Sequence, residues 1–158
     1  MKDNNMNKKL GINFLKASLI YFSMSVIMGT IMTLVPIYDF VMSSILFARA
    51  HAHLSLIGWV SFAIIGFMYL GLEYLNKPMY SERLGFCGFW LLNIGTFFEV
   101  ATLVIGGYDQ AYATMNGDVH SYAHAIPYTM FTIIFAFVMM IGAYMTIYNI
   151  YMTLKNDV

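Results

Sequence analysis

Six residues of this chain carry functional groups able to do chemistry: His51, His53, His120, His124, Glu99 and Arg49. His120 and His124 are four apart, so on a helix they share a face one turn from each other, a common metal-ligand spacing. His51 and His53 are two apart, about 200° round a helix, so only one of them can point at a given site. His51 shares its face with Ser55, Gly58 and Phe62, a stripe of small residues that leaves room for a flat ligand. His53 shares its face with Leu56, Ile57, Val60 and Ile64, the composition of lipid contact or packing. His51 is therefore the preferred ligand on this segment, and an irregular helix near Arg49 would reverse that choice. Neutral imidazole binds haem iron, copper and zinc. Arg49 can pair with a carboxylate such as a porphyrin propionate, or it is a solvated charge at the interface. Glu99 is expected either to orient a ligating histidine, to handle protons, or to sit protonated against a neighbouring helix.

These residues are set in an unusually apolar chain. Of its 158 residues 60% are hydrophobic and 10% charged, and the mean hydropathy is +0.69. That composition excludes a disordered protein and argues against a soluble domain. Eight basic and eight acidic residues cancel, which leaves no electrostatic footprint for nucleic acid. The single cysteine, Cys87, forms no intrachain disulfide and builds no zinc or iron–sulfur site.

A bilayer core of about 30 Å is crossed by about 20 apolar residues of helix. Four such runs are present, and the spans they predict cover about 17–38, 45–73, 84–106 and 122–152. The second is expected to start near Ser43 or Ser44, and Pro127 to kink or start the fourth. The charged head 1–9 is read as preceding an uncleaved first span. Lys2, Lys8, Lys9, Lys16, Lys77, Arg83 and Lys155 fall on one side and only Arg49 on the other. The positive-inside rule makes the populated side cytoplasmic, with both termini there. All four histidines then lie where spans two and four enter from the extracytoplasmic face. Short links predict an all-α, four-helix transmembrane bundle in one domain, 1–158. Met24, Met28 and Met32 read as gap-filling core. The glycines of spans two and three mark close helix contact.

The run Arg49-Ala-His-Ala-His-Leu-Ser-Leu-Ile-Gly-Trp59, continuing to Gly66 and Tyr69, resembles the second transmembrane helix of subunit I of the haem–copper oxidase and nitric oxide reductase superfamily. The resemblance implies that a histidine near the outer end of this helix is an axial ligand of a low-spin haem. Ala50-His51-Ala52 matches that pattern best, and a register two residues later would choose His53. The sequence has four spans, far fewer than the family's catalytic subunit, and no adjacent His-His pair for its copper or iron centre. It is similar in extent to one four-helix arc of the family fold.

The expectation is a multi-pass cell-membrane protein that binds haem b. Histidines of spans two and four, His51 (or His53) with His124 or His120, would hold the iron near the extracytoplasmic face, with Glu99, Ser55 and Gly58 in support. Its role would be electron transfer, or the binding or reduction of a diatomic gas, as a haem-dependent oxidoreductase. The expected partners are lipid, haem, further copies in a dimer or trimer, and an electron donor. The alternatives are a copper or zinc site built from His120, His124, His51 and Glu99, or an accessory or assembly factor of a respiratory oxidase.

Overall fold

The computed structural model describes residues 5–155, so Lys2 lies outside the described residues. Helix α1 covers Asn5–Met32, α2 Tyr38–Met42, α3 Ile45–Tyr74, α4 Glu82–Met115 and α5 Ser121–Lys155. All but α2 contain a membrane-length apolar stretch. The protein is thus all-α with four candidate transmembrane helices.

Sequence chemistry sets the ends. The first helix begins before the apolar run, at Asn5, and stops at Met32. Leu34 is extended (φ −69°, ψ 121°), and Pro36 opens a single 3₁₀ turn, Val35–Ile37, where its missing N–H costs nothing. Ser44 caps α3, its Oγ accepting from the Leu46 N–H at 3.3 Å. Ser81 does the same for α4, accepting from the Leu84 N–H at 3.3 Å. Helices α3 and α4 both end in a left-handed residue, Asn76 (φ 54°) and Gly117 (φ 78°). In each case the next N–H reaches back to the last turn, Lys77 to Leu72 O and Asp118 to Ala113 O, both at 3.0 Å. Pro127 lies inside α5, nearly two turns after its start at Ser121, and does not begin it.

Packing follows chain order: α1 lies on α3, α3 on α4, and α4 along α5. Phe14 is fully buried at the first contact, 5.4 Å from Phe62 and 4.9 Å from Phe89 between ring centres. Helices α4 and α5 approach closely because Gly88 faces Thr146 and Gly142, and Gly95 faces the Met139 backbone. A β-carbon at Gly95 would sit 2.6 Å from Met139 N, so no side chain fits there.

One irregularity matters for function. Residues Leu54–Ser61 of α3 form a π-helical segment directly after His53. Ser61 Oγ donates across the widened turn to Leu56 O at 2.8 Å. Each residue there turns the helix by less than an α-helical step, so faces above and below the segment are offset.

Candidate functional site

The two histidines of α3 point to different neighbours. His51 faces α1. Its ring lies against Gly29, where a β-carbon would come within 2.9 Å of Cε1. Its Nδ1 is 3.4 Å from Ser25 Oγ, and Ser25 Oγ is 2.5 Å from Ser55 Oγ. The stripe of His51, Ser55, Gly58 and Phe62 is one face, as its spacing suggests. It is filled by α1: Ser25 meets Ser55, Tyr21 covers Gly58, and Phe14 and Tyr21 pack on Phe62. The room expected for a flat ligand at Gly58 is taken by the Tyr21 ring.

Of lipid contact and packing, His53 takes packing and turns into the bundle. Its Nδ1 lies 3.1 Å from Oε2 of Glu99 on α4, whose side chain is only 3% exposed. Neither of these two buried atoms has another hydrogen-bond partner. Leu56, Val60 and Ile64, assigned to its face by a regular helix, are exposed. The π segment after His53 separates them from it. A cavity of about 340 Å³ adjoins His53, lined by Leu46, Arg49, Leu103, Thr129 and Thr132. Arg49 thus shares a wall with His53.

The histidines of α5 belong to a third group. His124 lies between two carboxylates, with Nε2 3.1 Å from Asp118 Oδ2 and Nδ1 3.6 Å from Asp109 Oδ1. The His120 N–H donates to Asp118 Oδ1 at 2.8 Å. That bond and then the His124 contact hold the Asp118 carboxyl below the usual carboxylate range. Among the described residues no hydrogen bond or ion pair joins an α5 histidine to His51 or His53. Among them, too, no three His, Cys, Asp or Glu side chains gather so as to hold a metal ion. Each histidine has its own neighbours: His51 meets α1, His53 meets α4, and His124 bridges the α4–α5 turn.

A second cavity, about 360 Å³ and apolar, runs along α1 and α3. Its wall includes Met28 and Met32 of α1 and Phe47 and Leu54 of α3. Ser25, Gly29, Asp109, Thr129 and Thr132 were not legible as site residues because each acts only through a contact between helices, and Asp118 was not because the shape of the α4–α5 turn sets its partners.

Four apolar helices, with His53 paired to the buried Glu99 between two of them, are those of a multi-pass membrane protein. Residues 4–145 match the model of the family "Cytochrome C and Quinol oxidase polypeptide I", and the chain belongs to that family. Its members generally bind haem. A comparison with curated proteins gives no match.

Proposed function

We propose that this protein is a haem b-binding component of the cell membrane, with His51 as an iron ligand near the extracytoplasmic face. The observation that carries the reading is the family match over residues 4–145. The fit of His51 to the group rests on its surroundings. Gly29 gives the His51 ring room against α1, and the same two helices carry an apolar groove with walls of Met28, Met32, Phe47 and Leu54. Arg49, exposed one helical turn or less from both α3 histidines, is the cation available to a propionate. Bound haem would supply one-electron transfer or diatomic-gas binding, according to whether a second axial ligand is present.

His124 and His120 remain the proposed source of a second ligand, from the same chain after the Asp contacts open or from another copy in a dimer or trimer. A multimer is supported by α5, which packs mainly on α4 and buries only 11% of its most apolar stretch. A copper or zinc site from His120, His124, His51 and Glu99 has no such support, since those side chains lie in three separate groups.

One observation favours a second assignment of the ligand. A carboxylate on one ring nitrogen orients an imidazole for metal binding through the other, and His53 with Glu99 has that arrangement. The test is the haem content of purified protein by pyridine haemochrome. His51→Ala is expected to lower it at least ten-fold while His53→Ala retains it. The reverse result transfers the ligand to His53, and full loading of both variants removes the α3 histidines from the iron.

A further inference from the structure

Three contacts around His51 can be satisfied together in only one way. A serine hydroxyl has one proton to donate. Ser55 Oγ is 2.9 Å from the His51 carbonyl oxygen, which can only accept, so the Ser55 proton goes there. Ser25 Oγ is 2.5 Å from Ser55 Oγ, and with the Ser55 proton committed it is Ser25 that donates. The Ser25 oxygen has then no proton left for the His51 ring. Its 3.4 Å contact with Nδ1 is a hydrogen bond only if Nδ1 carries the hydrogen. Ser25 is 4% exposed, so water does not take over these roles cheaply.

We propose that Ser25 and Ser55 are positioning residues that set the tautomer of His51. They form a relay that starts at the His51 backbone carbonyl, passes through both hydroxyls and ends at its own ring. The neutral ring is held as the Nδ1–H form, which leaves the Nε2 lone pair as the ligating one. Gly29 completes the device by letting the ring lie against the α1 backbone. The inference deepens the assignment of His51 as iron ligand and rests on that reading for its purpose, but its chemistry is a property of the chain alone. A hydrogen bond from Nδ1–H also makes the ring a stronger donor to a metal.

The relay makes different predictions for its two serines. In ¹⁵N-histidine-labelled haem-free protein at about pH 8.5, well above the usual imidazole value, His51 is expected as the Nδ1–H tautomer. Its signal is identified by its absence in His51→Gln. Ser55→Ala frees the Ser25 proton to turn toward Nδ1, so the ring is expected to switch to the Nε2–H form. Ser25→Ala removes the acceptor and is expected to give a mixture. Ser25→Thr, which keeps a hydroxyl, restores the wild-type tautomer. In the haem-loaded protein Ser25→Ala is expected to weaken haem binding about ten-fold and raise the midpoint potential. The proposal is overturned if the wild-type ring is Nε2–H, or if Ser25→Ala and Ser55→Ala both leave the tautomer unchanged. Loss of the ligand reading is a separate result: His51→Ala would keep its haem while the tautomer data on the haem-free chain stand.

Discussion

The two ends of the helical bundle are built differently. At the end where α1 begins and α5 finishes, the α3–α4 link is gripped by buried polar side chains. Asn7 Nδ2 donates to Lys77 O at 2.7 Å, Thr153 Oγ1 accepts from the Tyr80 N–H at 3.0 Å, and Asn149 Oδ1 accepts from the Ser81 N–H at 3.0 Å. Asn149 also donates to the Tyr69 hydroxyl at 3.1 Å, and none of Asn7, Asn149 and Thr153 is more than 1% exposed. At the other end the α4–α5 link is held by His124, Asp109 and Asp118, side chains about two-fifths exposed. Below them lie the His53–Glu99 pair and the cavity beside it. In apolar surroundings a satisfied amide fixes structure strongly, whereas exposed ion pairs contribute little. One end is therefore the more firmly fixed base, and the histidine end is the less strongly tied of the two.

That contrast is tested first at Asn149. Asn149→Ala strands the Ser81 N–H and the Tyr69 hydroxyl in the interior. The expected loss is about 3 kcal/mol, read as a lower thermal unfolding midpoint in detergent with haem loading per folded molecule retained. An unchanged midpoint would mean that the base is not the stabilising end. The second test is at the histidine end. His53→Ala leaves the buried Glu99 side chain without its partner in apolar surroundings. The expected cost is about 2 kcal/mol. Replacing Glu99 by Leu in the same protein is expected to recover most of that loss, because the orphaned polar group is gone. Equal destabilisation of single and double variants would show that His53 acts by packing and not by satisfying Glu99.

The same contrast explains what the sequence could and could not disclose. The four long apolar runs imply four helices because lipid leaves a helix few alternatives. The His51–Ser55–Gly58–Phe62 face was legible because spacing alone defines it. The partner of that face was not: nothing in the order of residues says that Tyr21, Ser25 and Gly29 would fill the room the small side chains leave. A regular helical period gave His53 a face of lipid contact or packing, and the π segment after it, which no residue type in Leu54–Ser61 announces, offsets that face. The rigid base was missed for another reason. Its Asn and Thr side chains do no chemistry and stand singly among apolar residues, so only their contacts reveal them.

The smallest expected effect lies in the α4–α5 turn. Asp118 is drawn below the usual carboxylate range by the His120 N–H and His124, so its charged form favours the folded turn. The stabilisation is complete above the unfolded carboxylate value of about 4 and is lost as pH falls through the lower folded value. Acid is thus expected to release the His120 amide, seen as faster hydrogen exchange there once the intrinsic pH dependence is removed. An asparagine in place of the aspartate keeps an acceptor for that amide but loses the charge. Asp118→Asn is accordingly expected to abolish the acid-dependent part and leave exchange at neutral pH within a few-fold of wild type. The amides of Tyr80 and Ser81, held by Thr153 and Asn149, supply the internal control, since no carboxylate accepts from either. If both turns loosened together in acid, the two ends would be one cooperative unit and the histidine end would not be separately adjustable.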